Sequence, residues 1–187
     1  MGTLSYTATV SIDGYVADSD GDFQWSGPGD QVFQFHVERM GAISHEVLGR
    51  KTYQLMAYWD AEPEDGAWTA EEQEFAKLWR GLERTVVSTT LGPQDLTFSW
   101  DRLVPSLDTE ALRQIVDDAS GEVEIFGPTT AADAIRAGMV RDFRFFVVPK
   151  VVGGGLSALP ADARLDLALV EHRVFDDGTV LLHYRSR

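Results

Sequence analysis

Residues 122–138, EVEIFGPTTAADAIRAG, decide the fold. Residues 122–126 carry the β-branched and aromatic side chains of a strand. Gly127 ends that run and lets the backbone come close to a ligand. Pro128 suits the first turn of a helix, and Thr129 and Thr130 can bond to the free N–H groups there. A helix follows to about Ala137, with Gly138 as its stop. Strand, glycine and helix start in succession form the unit from which parallel α/β sheets are built.

The unit recurs on either side. Residues 46–48 read as a short strand ending at Gly49, and a helix begins near Lys51. Residues 84–88 (RTVVS) and 142–148 (DFRFFVV) are further strands, and residues 4–12 (LSYTATVSI) form the first one, broken by Asp13-Gly14. Asp30 is expected to cap a helix to about Met40, on the helical spacing of Val32, Phe33, Val37 and Met40. Thr69 with Glu72 makes a capping-box signature for a helix to about Arg80. Another helix starts near Ser106 and Glu110 and runs to about Ala119. Residues 18–30, 63–66 and 151–155 read as loops. The last elements, 166–175 and 179–184, are joined at Asp176-Asp177-Gly178 as a hairpin. The expectation is a three-layer α/β/α fold: a mixed, mostly parallel central sheet with an antiparallel C-terminal hairpin. A length of 187 residues suits one domain spanning residues 1–187.

Composition narrows the partners. The formal net charge of −14 repels phosphate backbones and anionic lipid, so neither nucleic acid nor a membrane surface is expected. There are no cysteines, which removes disulfides, thiolate metal sites and cysteine nucleophiles together. His36, His45, His172 and His183 are scattered, so no metal site is expected. No stretch approaches 18 apolar residues and the first residues lack a signal-peptide pattern, which makes a cytoplasmic location the default. Neither a Gly-x-Ser-x-Gly elbow nor a Gly-x-Gly-x-x-Gly after the first strand is present, against an α/β hydrolase and a standard Rossmann domain.

Three places can carry chemistry. Gly49-Arg50-Lys51-Thr52-Tyr53 puts two cations at a helix start, where free N–H groups already favour an anion. Read alone, it could equally be a solvated basic turn. Phe126-Gly127-Pro128-Thr129-Thr130 could be ordinary helix capping or half of a phosphate cradle. Gly153-Gly154-Gly155 follows a strong strand and Pro149, and is either a flexible connection or a backbone shape that only glycine adopts.

Four pieces occur in an order that resembles the dihydrofolate reductase-like superfamily. They are Ser11-Ile12-Asp13-Gly14-Tyr15-Val16-Ala17, Gly49 to Tyr53, Val86-Val87-Ser88-Thr89-Thr90, and Ile125-Phe126-Gly127. Val147-Val148-Pro149 followed by the three glycines is similar to the branch containing the riboflavin-biosynthesis reductase, the RibD C-terminal domain-like branch. The resemblance implies NADPH across the carboxyl edge of the sheet. It implies that Arg50 and Lys51, with Ser88, Thr89 and Thr90 at the same end, meet the 2′-phosphate. Thr52 and the backbone at Phe126, Gly127, Thr129 and Thr130 would face the pyrophosphate. The loop with Ile12, Val16 and Ala17 would lie against the nicotinamide, and Trp25 would border the substrate. Riboflavin-type relatives also imply a homodimer through the C-terminal region.

Two departures matter. The superfamily's glycine pair is Gly127-Pro128 here, and because that pair carries a cis bond, a cis Gly127–Pro128 bond is expected. Dihydrofolate reductases place a carboxylate on the first helix, where this chain has Val32-Phe33-Gln34-Phe35. No proton donor is therefore assigned, and Asp13 and Asp30 are the only candidates near the site. The implied activity is hydride transfer from NADPH to a C=N or C=O carbon of a small heterocyclic or sugar-derived substrate, such as 5-amino-6-(5-phosphoribosylamino)uracil. A dihydrofolate reductase proper and a non-catalytic nucleotide-binding module on the same fold are the alternatives.

Overall fold

The computed structural model describes residues 2–64 and 66–187, so part of the expected 63–66 loop lies outside the described residues. Eight strands form one sheet. They are β1 (Thr3–Val10), β3 (Ile43–Gly49), β4 (Glu83–Val87), β5 (Arg102–Val104), β6 (Glu122–Phe126), β7 (Asp142–Val147), β9 (Leu167–Val174) and β10 (Val180–Ser186). Their order across the sheet is β5-β4-β3-β6-β1-β7-β10-β9. All neighbouring pairs from β5 to β7 are parallel, and β10 alone runs against its neighbours. The expected mixed, mostly parallel sheet is thus the one found. β2 (Tyr15–Ala17) and β8 (Leu156–Ser157) make a separate two-stranded ribbon.

The helices split between the faces because each has one apolar stripe to bury. α4 (Thr109–Asp118) and α5 (Pro128–Arg136) cover Leu4, Tyr6, Ala8 and Val10 of β1 with Leu112, Ile115, Ala131 and Ile135. α1 (Asp30–Met40), α2 (Arg50–Met56) and α3 (Ala70–Arg80) bury Met40, Tyr53, Phe75 and Trp79 against Leu48 and Val86 on the other face. Under the end of α1 the sheet face is charged instead. Arg39 binds Glu122 at 2.8 Å and also Glu124, while Arg144 binds Glu122 at 2.8 Å. Glu46 lies opposite Glu124 in register, and burial, then the charge of Glu124, push its carboxyl well above the usual range.

Three local expectations need correcting. Gly29, not Asp30, is the N-cap of α1; Asp30 is its first helical residue and makes no capping bond. The fourth helix starts at Thr109 with Asp108 as cap, its carboxylate accepting from the Ala111 amide at 2.8 Å, because the Asp oxygen reaches the free amide that Ser106 is too far upstream to meet. The Gly127–Pro128 bond is trans, since no cis bond occurs among the described residues. The turn into α5 is made by Gly127 itself, at φ 97° and ψ 131°, with Pro128 as an ordinary first helical residue. The Thr69–Glu72 capping box is present as expected.

Candidate functional site

The chain leaves β3 toward β4 on one side of the sheet and leaves β6 toward β7 on the other, and β3 and β6 are neighbours. Connections that diverge from adjacent parallel strands open a crevice beyond their carboxyl ends, and ligands of open α/β sheets bind there. The two glycine motifs that stood out in the sequence occupy this point. Gly49 caps α2 and Gly127 caps α5, and neither start has a side-chain cap, so first-turn amides face the crevice without a side-chain acceptor.

The packing between the two starts is reciprocal. A Cβ on Gly49 would stand 2.6 Å from Thr130 Oγ1, and one on Gly127 would stand 3.3 Å from Thr52 Oγ1. Each helix therefore lays its threonine hydroxyl over the cap glycine of the other, in space that only glycine leaves open. Gly127 is glycine for a second reason, since at φ 97° a side chain would be strained. Thr52, Phe126, Gly127 and Thr130 are half-buried, while Thr129 is exposed.

The rim toward β4 is basic and hydroxylic. Arg50 and Lys51 are exposed on the first turn of α2. β4 lies beside β3, which brings residues 88–90 alongside. Thr89 and Thr90 are exposed, but the Ser88 hydroxyl is committed to its own turn, accepting from the Thr90 and Leu91 amides at 3.1 Å each.

The other rim is built by the loop after β1 and the three-glycine loop after β7. Ile12 is 62% exposed, and its amide donates to the Lys150 carbonyl at 2.7 Å. Val16 is half-buried and Ala17 buried, in the strand β2 that pairs with β8. The glycine loop has a fixed shape: a Cβ at Gly155 would collide with the backbone of Ala17 and Asp18, and φ there is 132°. The Asp13 carboxylate joins the loops by accepting from the amides of Val152 at 3.2 Å and Gly153 at 2.8 Å. The Ser11 hydroxyl first, and these amides next, hold its carboxyl below the usual range.

Asp30 is exposed at the start of α1, and half-buried Trp25 donates its indole N–H to the Asp22 carbonyl at 3.0 Å. The structure thus gathers residues 49–52 and 126–130 into one crevice, sets 88–90 and 12–17 on its flanks, and leaves Asp30 and Trp25 on a segment beside it. Sequence reasoning missed the aromatic wall of Tyr58, Trp59 and Trp68, whose only signal was aromatic density without periodicity, and the short strands β5 and β8.

Residues 3–181 match the family model of the RibD C-terminal domain. The chain belongs to that family. Solved structures place this RibD C-terminal domain within the dihydrofolate reductase-like fold. A Shewanella sp. PV-4 protein described as a riboflavin biosynthesis protein superposes with a TM-score of 0.76 at 19% identity, over 99% of each chain. The Thermotoga maritima diaminohydroxyphosphoribosylaminopyrimidine deaminase/5-amino-6-(5-phosphoribosylamino)uracil reductase gives 0.69 at 13% identity, over 100% of this chain and 57% of that one. The present chain thus spans little more than half of that two-activity protein. Dihydrofolate reductase from Enterococcus faecalis, complexed with NADP(H) and RAB-propyl, gives 0.64 at 16% identity over 99% and 96%. No curated protein matches the sequence. No helix among the described residues is long and apolar enough to cross a membrane.

Proposed function

We propose that this RibD C-terminal domain protein is an NADPH-dependent reductase acting on a C=N or C=O carbon of a small heterocyclic or sugar-derived substrate. The observation that carries the reading is the crevice between β3 and β6, where two uncapped helix starts face each other across interlocked glycines and threonines. That cradle fits a pyrophosphate: it offers backbone amides, two hydroxyls and close backbone approach. An Enterococcus faecalis relative in fold was solved with NADP(H) bound, which supports the same choice of ligand.

Residues then take roles by position. Thr52, Thr129, Thr130 and the backbone at Phe126 and Gly127 hold the pyrophosphate. Arg50 and Lys51 meet the 2′-phosphate, with Thr89 and Thr90 beside them, and Ser88 shapes that turn. Ile12, Val16 and Ala17 border the nicotinamide, and Trp25 borders the substrate. NADPH, when bound, supplies the hydride; the chain's own work is orientation and exclusion of water. Asp13 is held ionised by its hydrogen bonds, so it ties the two loops together rather than donating a proton.

The test is calorimetric titration of the chain with NADPH and NADH. Charge-assisted contacts to the 2′-phosphate at this exposed rim should favour NADPH by about tenfold. Arg50→Ala with Lys51→Ala should erase the preference while NADH binding persists. Equal affinity for both nucleotides in the parent chain would refute the assignment.

A further inference from the structure

A cavity of about 350 Å³ lies between the first turn of α1, the 57–59 turn and the start of α3. α1 leads into β3 and α3 leads into β4, so both helices run against the parallel strands and begin at the carboxyl edge, the edge that holds the crevice. Phe33 and Trp59 stack inside it, centroids 5.7 Å apart and planes 23° apart. Tyr58 meets Trp59 edge-on at 4.9 Å and is 50% exposed. Behind them Trp59 rests on Phe75 at 4.8 Å and on Trp68 at 5.8 Å, which fixes the wall. An aromatic wall of this kind offers flat faces to a flat ligand.

The polar lining has one sign. Asp30, Thr69 and Glu72 border the cavity, and among the described residues no lysine or arginine does. Two helix starts nearby would otherwise attract an anion. Both are already met by carboxylates: Asp30 sits in the first turn of α1, Asp177 accepts from the Gly29 amide at 3.3 Å, and Glu72 closes the capping box of α3. A phosphate entering here would meet carboxylates without a cation, in a chain of net charge −14.

We propose that this cavity takes the ring of the substrate, and that this ring is flat, neutral or cationic, and bears no phosphate. The word substrate rests on the reductase reading above. The consequence is a specificity distinct from a phosphoribosyl pyrimidine, the substrate type in the name of the Thermotoga maritima relative.

One ring in three charge states tests this: 1-naphthol, 1-naphthylmethylammonium and 1-naphthyl phosphate, titrated calorimetrically into the full chain, with NADPH titrated in parallel. The ammonium and the alcohol should bind, with the phosphate weaker by about tenfold or more. Tyr58→Ala, an exposed position, should weaken the first two by severalfold with an unchanged melting temperature. Asp30→Asn should narrow the gap between alcohol and phosphate. The proposal is overturned if the phosphate binds as tightly as the alcohol, if no probe binds, or if Tyr58→Ala leaves probe affinity unaltered. Probes that sort by charge as expected while NADPH fails to bind would sink the reductase reading and leave the ring site standing. NADPH binding with the phosphate probe preferred would do the reverse.

Discussion

Replacing Gly127 by alanine should unfold the chain at a lower temperature and weaken nucleotide binding together. The residue sits at φ 97°, ψ 131°, a region that side-chain-bearing residues occupy at a cost of about 1–3 kcal/mol. The added Cβ would also stand 3.3 Å from Thr52 Oγ1, which has to yield by a few tenths of an ångström. Taking about 2 kcal/mol in total, a chain of this size should lose about 4–8 °C in melting temperature. Gly49→Ala is the informative companion. Its φ of −81° is ordinary, so its cost is the 2.6 Å approach to Thr130 Oγ1 alone. Removing that hydroxyl in Gly49→Ala with Thr130→Ala should recover most of the Gly49→Ala loss, giving a non-additive cycle. Gly127→Ala with Thr52→Ala should recover little, because backbone strain remains. Scanning calorimetry with and without NADPH measures all of these. A Gly127→Ala chain melting within a degree of the parent would refute the claim that the crevice depends on this backbone shape.

Other perturbations reach beyond the crevice. Arg84 is buried and pairs with Asp101 at 2.7 Å and Asp60 at 3.2 Å, so Asp101→Ala leaves a buried guanidinium short of charge and should cost about 3–5 kcal/mol by urea unfolding. Burial, and then the Arg39 charge, push His36 down to about 4. The unfolded chain takes up that proton near the ordinary value of about 6.5 and the folded chain does not, so stability is full above that value and falls as the pH drops from 6.5 toward 4. The loss should reach about 2–3 kcal/mol, and His36→Leu should flatten the stability profile over that window. Leu169, Val170 and Val174 are 53%, 47% and 68% exposed on β9, the outer strand of the sheet. Sedimentation is expected to show a homodimer through this edge. A single 20.7 kDa species at micromolar concentration would contradict that expectation.

What the sequence could reveal follows from where the information is local. Residues 122–126 were legible as a strand to the residue, because β-branched side chains and a terminal glycine are neighbours in sequence. The Thr69–Glu72 box was equally local. The crevice was legible as two separate helix starts, yet the crossing of Thr130 over Gly49 and Thr52 over Gly127 joins residues that only the sheet order brings together. Asp13 was legible only as a proton-donor candidate in the turn after the first strand, and the amides that donate to it, those of Val152 and Gly153, arrive from the far end of the chain. The cis bond was expected from the wrong residue: Pro128 makes cis cheap, but Gly127 can reach positive φ, and that alone completes the turn. The aromatic cavity escaped because Phe33, Tyr58 and Trp59 follow no common period.

β1 lies between β6 and β7, which are made long after it. Thr3 faces Glu122 and Ser5 faces Asp142, so β1 waits unpaired on both edges until residues 122–147 have emerged. Such distant partners make closure of the sheet entropically slow. The centre of the sheet is therefore among the last things to be completed during synthesis. A nascent chain halted after β4 would expose Leu4, Tyr6 and Ala8 on an open strand, which is the kind of surface that chaperones hold and that aggregates recruit.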